Sequence, residues 1–144
     1  MRIAIGCDHR GFNAKQAVMQ QLTAAKHSYH DFGAYSTDSV DYPDIAKNVA
    51  QAVASGEYER GILICDTGIG MSIAANKVKG IRAALCCSPF FAERARLHNN
   101  ANVICLAAQF TPETISGAVT AFLVTEYEGG RHDKRLQKIK EMEC

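Results

Sequence analysis

Strand-like and helix-like patterns alternate from end to end of this sequence, which predicts an α/β domain built on a parallel sheet. Three observations carry that prediction. Short apolar runs such as Arg2 to Cys7 and Gly61 to Cys65 have the length of buried strands. The stretches between them have helical length, and two of them open on a capping hydroxyl and a proline, Ser88-Pro89 and Thr111-Pro112. The 144 residues, 47% of them hydrophobic, suffice for one domain with a full core and are too few for two, so 1–144 is read as a single domain.

Taken in order, Arg2 to Cys7 reads as a strand, Phe12 to Ala25 as a helix and Ser28 to Phe32 as a weak strand. Pro43 to Ala54 is the next helix and Gly61 to Cys65 the third strand. A helix from Ile69 to Val78, a strand from Arg82 to Cys86, a helix from Pro89 to His98, a strand from Asn102 to Ala107 and a helix from Pro112 to Val124 complete the alternation. Tyr127-Glu128-Gly129-Gly130 breaks the pattern, and a charged helix from Arg131 to Glu143 closes the chain, making 125–144 a helical tail. Regular βα alternation implies a five-stranded parallel sheet covered on both faces, a three-layer αβα sandwich. The hydrophobic first strand suits the middle of a Rossmann/flavodoxin-like, doubly wound sheet of order 2-1-3-4-5. The sequence holds no repeat, linker or low-complexity segment.

Sixteen Lys and Arg against fifteen Asp and Glu leave a formal charge of +1, which argues against a nucleic-acid or membrane-surface partner and for a small one. No apolar run reaches the length of a bilayer span, and Met1-Arg2-Ile3-Ala4-Ile5 enters a strand pattern without a signal-peptide core, so the cytoplasm is expected. The six cysteines, at positions 7, 65, 86, 87, 105 and 144, have no C-x-x-C spacing and read as reduced thiols. Cys86, Cys87 and Cys105 read as small core hydrophobes and Cys144 as a solvated tail residue. Only Cys7 and Cys65 fall at strand ends where chemistry is usually placed.

Ligands of such a sheet bind outside the carboxyl ends of the strands where strand order reverses, here between strands 1 and 3. The loops meeting there are Cys7-Asp8-His9-Arg10-Gly11 and Cys65-Asp66-Thr67-Gly68-Ile69-Gly70. Neither is a dinucleotide fingerprint or a P-loop, so no nucleotide cofactor is expected. Gly68 and Gly70 let backbone N–H groups approach a ligand, and the helix that follows favours negative charge at its start. The same helix start favours a thiolate at Cys65, which could act as nucleophile or as base. Asp66 opposes that effect unless it points away or pairs with a cation. Asp8 and His9 supply an acid/base pair on the neighbouring strand end, or merely cap their turn. His27 and His30 lack the acidic or thiol neighbours of a metal site and read as surface residues. His132 stays unassigned.

Cys7-Asp8-His9-x-Gly11, Cys65-x-Thr67-Gly68-Ile69-Gly70, Ala74-Ala75-Asn76-Lys77, His98-Asn99-Asn100-Ala101-Asn102 and Tyr127-Glu128-Gly129-Gly130-Arg131-His132 together resemble ribose-5-phosphate isomerases of the B type. The resemblance covers essentially the whole chain. It implies a metal-independent aldose–ketose isomerase of the pentose phosphate pathway, without cofactor, working on a small phosphosugar as a homodimer with shared active sites or as a tetramer. It makes Cys65 the base that moves a proton between C1 and C2, and His98 the residue that helps open the furanose ring. Asp8, Thr67 and Asn99 match residues that hold the sugar oxygens, and His9, Arg131 and Arg135 match residues at the phosphate. The charge that develops on an enediolate would suit N–H donors of the Gly68-Ile69-Gly70 turn. Arg131 and Arg135, four apart, would project from one helix face onto one phosphate.

Two positions depart from the resemblance. The family has glycine at Asp66 and arginine at Gln109, where it reaches the phosphate, so this pocket is less positive and the preferred sugar stays open among ribose 5-phosphate, allose 6-phosphate and galactose 6-phosphate. A phosphoacceptor receiver domain shares the strand order expected here and would use Asp8, Asp66 and Ser88, but Gln109 stands where its lysine belongs. A flavodoxin-like FMN binder would carry its phosphate loop after strand 1. The topology adds one expectation: a helix between parallel strands returns the chain to their amino ends, so His98 and Asn99 would reach Cys65 only from a second subunit.

Overall fold

The computed structural model describes residues 1–143; Cys144 and its reading as a solvated tail residue lie outside them. The strands are β1 (Arg2–Cys7), β2 (Ser28–Asp31), β3 (Arg60–Cys65), β4 (Ala83–Leu85) and β5 (Val103–Ala107). The helices are α1 (Phe12–Ala24), α2 (Tyr42–Ala54), α3 (Ile69–Ala75), α4 (Pro89–Asn99), α5 (Pro112–Val124) and α6 (Asp133–Glu141), with single 3-10 turns at His9–Gly11 and Gly130–His132. Every strand pair is parallel. Successive side chains of a strand point to opposite faces, and here both faces are apolar. Ile3, Ile5, Ile62, Ile64, Ile104 and Leu106 pack against α1, α4 and α5, while Ala4, Leu63, Cys65, Val103 and Cys105 pack against α2 and α3. The three layers of the αβα sandwich follow from that double-sided burial.

The strand order is β2-β1-β3-β5-β4, so the expected order 2-1-3-4-5 is corrected at its right edge. β5 is buried at all five positions, whereas β4 has three residues, none of them buried. The fully apolar strand takes the interior and the short, half-solvated one becomes the edge. The reversal of strand order between β1 and β3 is untouched, and with it the crevice. Ser88 Oγ accepts from Phe91 N at 3.4 Å and Thr111 Oγ1 from Thr114 N at 3.1 Å, so both hydroxyl-proline pairs start helices as expected.

Three smaller readings also change. The third helix stops at Ala75 rather than Val78 because the Asn76 side chain turns to the edge strand, donating to Ala83 O at 2.9 Å and accepting from Ala83 N at 2.8 Å. Cys87 is exposed, unlike Cys86 and Cys105. Gly129 and Gly130 both adopt positive φ, +73° and +61°, and the 3-10 turn they feed keeps Arg131 outside α6, which begins at Asp133. Lys15 is fully buried in α1; its Nζ reaches Asp31 Oδ1 at 2.6 Å and the Ala34 carbonyl, pinning the segment after β2 against the end of β1. Among the described residues, no helix is long and apolar enough to cross a membrane.

Candidate active site

β3 ends on Cys65 at the centre of the carboxyl edge, between β1 and β5, and the side chain turns toward α2 and α3. Its Sγ accepts a hydrogen bond from the Gly68 N–H at 3.1 Å, the contact a thiolate needs. The glycines make this possible in different ways. Gly68 has φ +79°, and a Cβ there would lie 2.6 Å from Leu85 Cδ1 and 3.0 Å from the Leu106 carbonyl carbon. Gly70 lies beneath Tyr42, whose ring would stand 2.6 Å from an added Cβ. Thr67 is exposed and its Oγ1 accepts from Ile69 N at 3.3 Å. Of the three amides expected to face an enediolate, that of Gly68 is thus engaged by sulfur and that of Ile69 by Thr67, leaving Gly70 N–H without a partner among the described residues.

The loop after β1 lies alongside. Asp8 N donates to Ile64 O at 3.1 Å, which sets Asp8 next to the end of β3. Its Oδ1 accepts from Arg10 N at 2.9 Å and Gly11 N at 3.1 Å, so Asp8 does cap its own turn, and Oδ2 is the oxygen left for a ligand. His9 accepts from Val40 N through Nδ1 at 3.3 Å, which orients the ring and leaves Nε2 without a hydrogen bond among the described residues. Among the described residues, Asp66 does not pair with a cation. Its Oδ1 accepts from Gln109 Nε2 at 2.6 Å, so the two positions that depart from the resemblance touch each other. Sequence reading placed both residues near the site but missed their pairing, since they lie 43 residues apart with no shared motif.

His98, Asn99 and Arg131 gather at the other edge of the sheet. α4 ends on His98 and Asn99 and turns through Asn100 (φ +46°) into Ala101. Arg96 holds that corner, donating to Asn100 Oδ1 at 2.8 Å, Ala101 O at 2.7 Å and Thr125 O at 3.1 Å; burial lowers its pKa to about 10. Glu128 N donates to Leu97 O at 3.1 Å, which seats the tail beside His98. Arg131 lies 3.6 Å from Glu128 Oε1, and Arg135 is exposed on α6. His132 is buried, its ring stacked on that of His98 at 4.5 Å between centroids. The grouping of His98, Glu128 and His132 carried no signal in sequence spacing. The length of β5, roughly 13 Å, separates this cluster from Cys65. One chain therefore brings together Cys65, Asp66, Thr67, Gly68, Ile69, Gly70, Asp8 and His9, and leaves His98, Asn99, Arg131 and Arg135 apart from them.

A cleft of about 670 Å³ is lined by Tyr42, Pro43, Lys47, Gly70, Ile73 and Lys77 among others, and includes neither Cys65 nor Asp8. Around it Ile69, Ile73, Tyr42 and Leu85 are 52%, 59%, 39% and 39% exposed, a group of large apolar side chains beside the edge that carries Cys65.

Residues 3–139 match the family model described as Ribose/Galactose Isomerase. Ribose-5-phosphate isomerase B of Escherichia coli (strain K12) is 44% identical over 143 residues, covering 99% of this chain and 96% of that protein. D-erythrulose-4-phosphate isomerase of Pectobacterium atrosepticum is 43% identical, covering 96% of this chain and 93% of that protein. The solved structure of Clostridium thermocellum ribose-5-phosphate isomerase B superposes with a TM-score of 0.97 at 46% identity, over 99% of this chain and 97% of that one. With the fold, the strand-end cysteine and its glycine turn already in place, the chain belongs to the ribose/galactose isomerase family, as an aldose–ketose isomerase of the ribose-5-phosphate isomerase B type.

Proposed function

We propose that the protein interconverts ribose 5-phosphate and ribulose 5-phosphate through an enediolate, with Cys65 as the base. The thiolate takes the proton from C2 of the open-chain aldose; the C–H electron pair becomes the C1=C2 bond and the former aldehyde oxygen takes the charge. Return of the proton to C1, with loss of the O2 proton and protonation of O1, completes the ketose. The observation that carries this reading is the Gly68 N–H held on Cys65 Sγ at the switch point of the sheet. Asp8 Oδ2 and Thr67 would hold sugar hydroxyls, Gly70 N–H the developing charge, and His9 the phosphate. Cofactor and metal have no step in this chemistry.

The rest of the site comes from a second copy of the chain. His98 would help to open the furanose ring, Asn99 would hold a sugar oxygen, and Arg131 and Arg135 would grip the phosphate, all across a two-fold interface. The exposed Ile69, Ile73, Tyr42 and Leu85 around the cysteine edge support such an interface, because a solvated monomer gains nothing by displaying them. The assembly is then a homodimer, or a tetramer of two.

The Asp66–Gln109 pair favours a second reading of the substrate, a phosphosugar other than ribose 5-phosphate, since it replaces a cation with a carboxylate near the phosphate. Turnover of ribose, allose, galactose and erythrulose phosphates, measured with EDTA present, decides between them. Ribulose 5-phosphate formation with solvent hydrogen appearing at C1 is expected. A preference for another sugar would replace the substrate and keep the chemistry, while inactivity on all of them would overturn both.

A further inference from the structure

Three donor groups converge at the amino edge of the sheet in a way the isomerisation does not require. His98 lies in the last turn of α4, His132 at the end of the 3-10 turn that starts on Gly130, and Glu128 between them in space. The stacked rings, inclined by 21°, turn their Nε2 atoms toward one oxygen: Glu128 Oε2 is 3.3 Å from His132 Nε2 and 3.8 Å from His98 Nε2. All three donor atoms lie within 4.8 Å of one another. His132 is 6% exposed, and although its Nε2 faces the carboxylate it is not aligned with it, so it makes no hydrogen bond among the described residues. A buried ring nitrogen is rarely left unpaired unless something else is to occupy the gap.

Two imidazoles and a carboxylate are the donor set of an open-sided zinc centre. With bonds of about 2.1 Å, tetrahedral donors stand about 3.4 Å apart, close to the 3.3 Å between Glu128 Oε2 and His132 Nε2 and shorter than the 3.8 Å to His98 Nε2. The remaining closure falls to His98, whose side chain is 38% exposed and free to shift. Arg131 occupies Oε1 of the same carboxylate at 3.6 Å, leaving Oε2 to the imidazoles; its side chain is 64% exposed and can swing away.

We propose that His98, Glu128 and His132 bind a borderline-soft divalent transition-metal ion, Zn²⁺ or a close analogue, which inhibits the enzyme by occupying His98. The inhibitory half rests on the reading of His98 as the ring-opening residue, because an imidazole nitrogen that donates its lone pair to a metal cannot exchange a proton with the ring oxygen. Ribose 5-phosphate is a closed furanose in solution and needs opening. Ribulose 5-phosphate has its O5 esterified, cannot close a five-membered ring, and needs none. The ion therefore slows ribose 5-phosphate turnover while sparing exchange of the C1 proton of ribulose 5-phosphate, which needs only Cys65.

Co²⁺ titration of the whole, chelator-free protein tests the site without reference to activity. One ion per chain is expected, with visible d–d bands and no thiolate charge transfer in the near ultraviolet, and with displacement by Zn²⁺. His132→Ala and Glu128→Gln should each weaken Co²⁺ by roughly tenfold or more; the Glu128 change, at a half-exposed position, keeps the test valid if the buried histidine variant fails to fold. Thiolate charge transfer, or affinity unchanged in the folded variants, overturns the site. At saturating Zn²⁺, ribose 5-phosphate turnover should fall at least tenfold while C1 exchange falls less than about twofold, as befits loss of acid–base assistance to one step. Equal inhibition of both reactions, or of neither, overturns the braking role. Metal-free protein inactive toward both sugars would instead count against the isomerase reading, with the Co²⁺ spectra still deciding the site.

Discussion

β1 and β3 are neighbours, and both end on a cysteine at the same edge of the sheet, yet the two thiols live in different surroundings. The register sets Cys7 opposite Ile64, one residue short of Cys65, so the two side chains leave opposite faces of the sheet. Cys7 points into the α1–α4–α5 core at 0% exposure, with only the Ala34 carbonyl at 4.0 Å, and burial pushes its pKa up to about 11. Cys65 points to the other face and receives the Gly68 N–H. The following loops differ as well: Asp8 closes the first on itself, whereas Asp66 ties the second to the loop after β5 through Gln109. Residue type at a strand end does not make a site; pleat parity and the turn that follows decide.

The largest test of that contrast is to remove each sulfur. Cys65→Ala should lower solvent proton exchange into substrate by about 10³-fold, within the range for loss of a general base, while melting near wild type. Cys7→Ala should keep turnover within about twofold and cost about 1 kcal/mol of stability for the lost core volume. Equal activity losses at the two positions, read from exchange rates and urea unfolding, would erase the distinction.

A second test asks whether the Cys65 edge is complete in one chain. Cys65→Ala and His98→Ala, unfolded together in equal amounts and refolded, should pair at random. About half the dimers are then mixed, each with one intact site of two, so roughly a quarter of wild-type activity should return. Mixed dimers that form without recovering activity would place His98 in the same chain's site.

How much of this was legible beforehand follows from the kind of signal each feature carries. Double-sided burial writes itself as apolar runs, so five strands and their helices were readable, and Ser88-Pro89 and Thr111-Pro112 marked two starts. The exchange of β4 and β5 was not, because strand neighbourhood depends on comparing burial between strands rather than on any local pattern. At the candidate site, the strand-turn-helix motif pointed to Cys65 and the glycines. The Asp66–Gln109 bond and the His98–Glu128–His132 cluster were missed, since both join loops distant in sequence. The 3-10 turn at Arg131 was hidden by reading one continuous charged helix through the glycine pair.

The tie between the second loop and the loop after β5 can be measured as a coupling. Gln109→Arg alone would set a guanidinium against Asp66, which spends the new charge on a carboxylate already 2.6 Å from position 109's side chain. It should change phosphosugar affinity little. With Asp66→Gly in the same chain the arginine is free to meet the phosphate, and binding should tighten several-fold beyond the sum of the single changes, a coupling of about 1 kcal/mol. Additive effects on affinity would mean that the two residues act independently.

The smallest effect concerns Cys7, and its sign follows from linkage. Burial raises the folded-state pKa from 9.0 to about 11, so below pH 9 the thiol is neutral in both states and contributes no pH dependence. As pH rises through 9 the unfolded chain releases a proton that the folded chain retains. Stability then falls with rising pH, and goes on falling until the folded thiol also ionises near 11. Cys86, pushed by burial to about 12, and Cys105, raised well above 9.0, contribute in the same direction. Cys7 is therefore read as a difference: between roughly pH 8 and pH 10, wild type should lose about 1 kcal/mol more stability than Cys7→Ala, in urea unfolding at each pH. Parallel losses in the two proteins would mean that Cys7 ionises as readily folded as unfolded, and that the contrast between the two strand ends is weaker than their burial implies.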